Sequence, residues 1–314
     1  MTKIKAALAG NETTIRYVFG DDYLNVLQAL TDLNPVIMTA DNAASGSFAD
    51  TEVIFSTWGM PALEETQLDA LPALKAVFYA AGTTDYFRVP FQNRNILISS
   101  AWRDNAIPVA EFVFAQILLS LKNYFAVSSA VHREQKWQGQ NVGPGAYGAT
   151  VALIGAGAIS NKVQEMLRTV DVRTIVVPSR KEKRTISLEE AFSTAQVVSN
   201  HLPNRDDNIG VLNGALFERM RPNAVFINTG RGRQVNEPEM IRVLKERPDL
   251  TALLDVTYPE PPVPGSELYT LPNVHLSPHI AGSMNDEVRR MAVSAIDEFK
   301  RYRDGQPLQN IVAI

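Results

Sequence analysis

An α/β protein of two domains, each a parallel sheet flanked by helices, is the architecture expected of this chain. Short apolar runs of strand length alternate with helical patterns along most of its length. Its 314 residues are long for one core and suit two. Near the midpoint, Gly155-Ala156-Gly157 separates a strand-like apolar run from a helical one.

The first hundred residues set this rhythm through Ile4–Ala9, Asp21–Leu30, Val53–Ser56, Glu64–Leu71, Lys75–Tyr79 and Ile96–Ser99. A helix follows from about Pro108. Its apolar stretch, Ile107–Leu121, contains Glu111 and Gln116 and is shorter than the roughly 20 residues a bilayer span needs. Apolar groups surround this helix, so burial on all sides is expected. Strands are then expected at Thr150–Ile154, Arg173–Val177, Ala195–Ser199, Ala224–Ile227, Thr251–Val256 and Val274–Ser277. The closing helix, Asp286–Arg303, carries Val288, Met291, Ala292, Ala295, Ile296 and Phe299 on one face. The expected first domain is residues 1–106 completed by 285–314, and the second is 107–284.

Composition narrows the function. Hydrophobic residues make up 45% and charged residues 20%, as in ordinary globular proteins. A net charge of -4 gives no general reason to bind nucleic acid or acidic membranes. Without cysteine there is no disulfide, thiolate ligand or thiol nucleophile. The N-terminus turns polar at Asn11, too soon for a signal-peptide apolar region, and a cytoplasmic location is expected.

The glycine turn carries the first chemical signal. Gly155 allows a tight turn, and Gly157 lets the backbone around Ala156, Ala158 and Ile159 approach a pyrophosphate at a positive helix end. Ser160 replaces the usual third glycine. This is a Rossmann-like dinucleotide loop, although the motif alone also fits a plain strand–helix turn. The next strand ends Val177-Pro178-Ser179-Arg180-Lys181, with no carboxylate before Glu182 to bond a ribose. Ser179 and Arg180 suit a 2′-phosphate, so NADP(H) is preferred over NAD(H). A solvated charged loop of Arg180, Lys181, Lys183 and Arg184 is the competing reading.

Three later segments each place one polar side chain in a turn after a strand-like run: Arg231 in Asn228–Gly232, Glu260 in Asp255–Pro261 and His279 in Ser277–Gly282. Ligands of open α/β sheets sit outside the carboxyl ends of the strands, where such turns converge. A guanidinium, a carboxylate and an imidazole can hold a 2-keto acid and protonate its carbonyl. His275 and His279 are four apart, but Pro278 argues against a helix and so against a zinc site. Trp58, Trp102 and Arg103 fall where loops of the first domain would shape a substrate pocket; packing of the tryptophans and exposure of Arg103 explain them equally well.

From about Leu74 onward these motifs together resemble the D-2-hydroxyacid dehydrogenase family, which includes glyoxylate/hydroxypyruvate reductases and phosphoglycerate dehydrogenase. The resemblance rests on the Gly-Ala-Gly loop, His201-Leu202-Pro203, Asn-Thr-Gly-Arg-Gly, Leu-Asp-Val-Thr-Tyr-Pro-Glu-Pro and Ser-Pro-His-Ile-Ala-Gly. It implies two Rossmann-like domains with a substrate cleft between them. Arg231 would bind the substrate carboxylate and carbonyl, His279 would be the acid–base group, and Glu260 would orient the imidazole and favour its protonated form. Asp255, Thr229 and Gly230 would border the nicotinamide, and His201, Leu202 and Pro203 would lie along the cofactor. Ala81, Gly82 and Thr83 match the loop that meets the substrate carboxylate, and Asn105 matches a residue at the domain junction. A homodimer is also implied. Two alternatives share the scaffold: a formate dehydrogenase, which pairs the histidine with glutamine rather than Glu260, and a non-enzymatic dinucleotide-sensing corepressor.

Overall fold

The computed structural model describes residues 3–137, 139 and 143–312. The chain divides into two compact units, one running to Ala106 and resuming at Ser283, the other covering Ile107–Gly282.

In the first unit the strands are β1 (Lys5–Ala9), β2 (Asp32–Leu33), β3 (Val53–Ser56), β4 (Ala76–Tyr79) and β5 (Leu97–Ser100). They form a parallel sheet in the order β2-β1-β3-β4-β5. Helices α1 (Glu12–Leu30), α2 (Glu65–Asp69) and α3 (Arg88–Asn93) connect them. Successive strand residues point to opposite faces. Phe55 and Phe78 therefore enter one core with Ile15, Val18 and Phe19 of α1, while Ile54 and Val77 enter another with Phe87 and Phe91.

The chain leaves this unit within α4 (Trp102–Leu121), which is followed by α5 (Tyr124–Glu134). At 20 residues α4 satisfies the length and composition of a membrane span. Yet Val109, Ala110, Val113, Ile117 and Leu121 pack into the core of the second unit. Burial on all sides is not observed: Glu111 and Ala115 are exposed, and Leu119 is 40% exposed. The reason is geometric, since this core covers only one face of the helix and the sequence happens to be apolar on the other.

The second unit contains β6 (Ala149–Ile154), α6 (Ala158–Leu167), β7 (Val172–Val177), α7 (Leu188–Thr194), β8 (Val197–Asn200), α8 (Gly214–Glu218), β9 (Val225–Asn228), α9 (Glu237–Glu246), β10 (Thr251–Leu254) and β11 (Val274–Leu276). The sheet is parallel throughout, in the order β11-β10-β9-β8-β6-β7. From β6 the chain steps outward to β7, then crosses back and builds in the opposite direction from β8. The switch point between β6 and β8 is where such a sheet opens a ligand crevice.

The chain finally returns to the first unit as α10 (Val288–Arg303), whose Val288, Met291, Ala292, Ala295, Ile296 and Phe299 join the core beside α1. Beyond it the tail runs antiparallel along β5: Ser100 donates to the carbonyl of Asn310 at 3.0 Å and Val312 to that of Ile98 at 2.9 Å. The buried carboxylate of Glu298 holds this tail, accepting from the Gln309 and Asn310 amides and from the Ser99 hydroxyl.

Candidate active site

At the switch point Gly155 ends β6 with φ +116°, a conformation that favours glycine. A Cβ there would lie 2.3 Å from the carbonyl oxygen of His201, so β6 and β8 meet backbone to backbone at this corner. Gly157 caps α6 with no side-chain bond, and a side chain built on it would meet nothing within 4 Å. The N–H groups of a helix's first turn lack intrahelical acceptors and favour an anion.

Nearby polar atoms point the same way. The Ser160 and Thr229 hydroxyls and both ring nitrogens of His201 are buried, with no partner among the described residues. Burial pushes the His201 imidazole down to about 3, so it is neutral at ordinary pH. Unmet buried polar groups are costly unless a ligand or water completes them. An open glycine turn, an uncapped helix and orphaned donors fit a dinucleotide.

Beyond β7, Ser179 is half-buried while Arg180, Lys181 and Lys183 are exposed. Arg184 turns inward instead, donating to the carbonyls of Pro178 and Ser179 at 2.9 Å each. It braces the turn that presents Ser179 and Arg180.

Arg231 lies three residues beyond β9, Glu260 six beyond β10, and His279 three beyond β11. These are neighbouring parallel strands, about 4.8 Å apart, so all three loops leave one edge of the sheet. His279 Nδ1 and Glu260 Oε1 are 2.6 Å apart, with side chains 49% and 40% exposed. A carboxylate only accepts, so Nδ1 carries the proton and Nε2 is left for a substrate. Arg231 is half-buried, and its Nη1 donates to the carbonyl of Gly230 at 2.7 Å. A Cβ on Gly232 would lie 2.0 Å from the Thr257 carbonyl, so the Arg231 loop and the loop leading to Glu260 also touch through bare backbone.

His279 has φ 54°, an uncommon value for a residue with a side chain. Asp255 holds it there. The buried Asp255 carboxylate accepts from the Ser277 hydroxyl at 2.5 Å and from the Ile280 and Ala281 amides at 2.9 Å, and its carbonyl accepts from His279 N–H. Most of the carboxylate is thus engaged by the histidine turn. A second network fixes the Arg231 turn. Gln234 Oε1 accepts from Asn200 Nδ2 at 2.6 Å and from Arg231 N–H at 3.1 Å, while Gln234 Nε2 donates to the carbonyls of Leu202 and Pro203.

In the first unit, Ala81, Gly82 and Thr83 follow β4, and the Ser100 hydroxyl faces the carbonyls of Ala81 and Gly82 at 2.8 and 2.7 Å. A Cβ on Gly82 would lie 3.2 Å from Asn105 Nδ2, and Asn105 Oδ1 accepts from Ser283 N–H. Trp58 packs partly against both cores of this unit. The Arg103 guanidinium lies over the Trp102 ring at 4.9 Å. His275 is a β11 residue against Phe125, and burial lowers its pKa. Among the described residues no three His, Cys, Asp or Glu could hold a metal ion.

Residues 114–281, more than half of the chain, match the family model for the NAD-binding domain of D-isomer-specific 2-hydroxyacid dehydrogenases. The chain belongs to this family. Glyoxylate reductase of Aeropyrum pernix is 28% identical over 65% of this chain and 65% of its own length. D-3-phosphoglycerate dehydrogenase of Archaeoglobus fulgidus is 25% identical over 70% of this chain and 43% of its own. The chain thus spans less than two thirds of the length of these relatives. A probable 2-hydroxyacid dehydrogenase from Rhizobium etli CFN 42, solved with NADP, HEPES and tartaric acid, shares the fold: its TM-score is 0.79 at 22% identity, covering 99% of this chain and 98% of that one.

Against this family background, sequence reasoning did not reach Gln234 or Asn200, which support the site without a recognisable motif. The bonds of Asp255 run to the turn that carries His279, a role its sequence neighbours do not announce.

Proposed function

We propose that this family member is an NAD(P)-dependent oxidoreductase that reduces a small 2-keto acid to a D-2-hydroxy acid. The 2.6 Å pair of His279 and Glu260, on the same sheet edge as Arg231 and the Gly155 turn, carries the reading. A nicotinamide cofactor held at the Gly155 turn would supply the hydride for the substrate's carbonyl carbon. Arg231 offers a planar guanidinium to the carboxylate and carbonyl oxygens. His279 delivers the Nε2 proton to the carbonyl oxygen, while the Nδ1 proton stays on the ring, hydrogen-bonded to Glu260, which keeps the ring aimed. In the reverse direction Nε2 takes the proton back.

NADP(H) is the preferred cofactor. Support comes from the missing carboxylate after β7, the Ser179–Arg180 turn braced by Arg184, and the NADP bound by the Rhizobium etli neighbour. A homodimer, which the family resemblance implies, is the proposed assembly; sedimentation at equilibrium tests for it.

The deciding assay is a panel of 2-keto acids, glyoxylate and hydroxypyruvate first, offered with NADPH and NADH while nicotinamide absorbance is followed. Turnover with at least one acid is expected. Tight cofactor binding without turnover of any acid would leave a sensor instead.

A further inference from the structure

The loop that carries Glu260 has little backbone support of its own. Between Val256 and Gly265, Pro259, Pro261, Pro262 and Pro264 have no N–H to donate. Among the described residues, the one backbone N–H of this segment with an acceptor is that of Tyr258, bonded to Glu237 Oε2 at 3.2 Å. Glu237 is the first residue of α9, and its half-buried side chain reaches from a rigid element to the loop. The remaining ties avoid backbone N–H groups: the Thr257 hydroxyl donates to the Pro259 carbonyl at 2.9 Å, and the Tyr269 hydroxyl to that of Pro262 at 3.2 Å. The Arg233 guanidinium covers the Tyr258 ring at 5.6 Å.

A single residue, Pro259, separates Tyr258 from Glu260, so an anchor at the Tyr258 amide sets where the Glu260 backbone begins. We infer that Glu237 is a positioning residue for the proton-transfer pair, presenting Glu260 to His279 through the Tyr258 N–H. The inference rests on the roles proposed above for His279 and Glu260. What the loop needs from Glu237 is an acceptor oxygen at the right reach, not its negative charge. A carboxylate at the first position of a helix also favours the helix dipole, and that role needs the charge instead.

Two variants of the full chain separate the roles. Glu237→Gln keeps the acceptor and loses the charge; Glu237→Asp keeps the charge at a good helix-start position and withdraws the oxygen by one methylene. Glu237→Asp should lower kcat/KM about tenfold at pH 8. The loss should fall on kcat, with KM changed less than about twofold, because proton delivery and not substrate binding is misplaced. NADPH Kd should change less than twofold in both variants, and Glu237→Gln should stay within about threefold of wild type throughout.

The ring-proton NMR signals of His279 read the same effect without turnover: they shift in Glu237→Asp and hold in Glu237→Gln. Wild-type behaviour of Glu237→Asp, or an equal loss in both variants, overturns the inference. If the wild type reduces no 2-keto acid, the proposed reaction fails while the His279 NMR signals still decide this point.

Discussion

Replacing Gly232 with alanine tests whether the Arg231 and Glu260 loops are held in register by their backbone approach. The added Cβ would lie 2.0 Å from both the carbonyl carbon and oxygen of Thr257, and 2.6 Å from Tyr258 N. Carbon atoms pack at about 3.5–4.0 Å, so the two loops must part by roughly 1.5 Å. Neither loop can yield by rotating a side chain, because the atoms met are backbone. Misplacement of reacting groups by about 1 Å can cost about 100-fold in rate, equivalent to about 2.7 kcal/mol of transition-state stabilisation. Overpacking should also lower stability by about 1–3 kcal/mol. The Gly155 turn lies on other strands, so NADPH Kd should remain within about threefold. Steady-state kinetics, cofactor fluorescence titration and a thermal melt read these three quantities. A folded Gly232→Ala protein with kcat/KM within about threefold of wild type would refute the claim that this approach sets the catalytic geometry.

Three further outcomes are expected. Arg231→Ala should lower kcat/KM at least about 100-fold with cofactor affinity nearly unchanged, as for removal of an oriented donor; an active variant removes the substrate anchor. Arg180→Ala should raise the Kd of NADPH about tenfold and leave that of NADH unchanged, because only the former has a 2′-phosphate for a charged hydrogen bond; equal effects contradict the phosphate assignment. The His201 imidazole titrates near 3 when folded against 6.5 as a free group, so the unfolded chain takes up the proton first. The stability it preserves is complete above pH 6.5 and declines as pH falls towards 3, by about 2 kcal/mol at pH 5. Urea unfolding of His201→Met should lose correspondingly less between pH 7.5 and pH 5, and identical losses in the two proteins disprove the assignment.

The strands and the residues just past them were readable because each signal is local. Gly155, Arg231 and His279 stand directly after apolar runs, and the pattern that marks a strand also marks its carboxyl end. Asp255 differs. Its neighbours in sequence do not reveal that its carboxylate would hold backbone amides 25 and 26 residues away. Gln234 and Asn200 read as ordinary polar residues, yet they are buried because their hydrogen bonds are satisfied within the fold. The first helix, expected from Asp21, begins at Glu12, although its start signal is present in the sequence: Asn11 caps it, accepting from the Thr13 amide at 2.9 Å. Gly20, the one non-helical residue inside, masked the continuity. The outward face of α4 was misjudged because hydropathy does not report whether a neighbouring layer exists.

The strip of tail laid along β5 shields an edge whose unpaired groups would otherwise invite a strand from another molecule. Clipping the chain before Gln309 would strip that cover and leave the Glu298 carboxylate interred without its two amide donors. Preparations shortened at this end should therefore clump on storage even if their chemistry survives, and affinity handles belong at the other terminus.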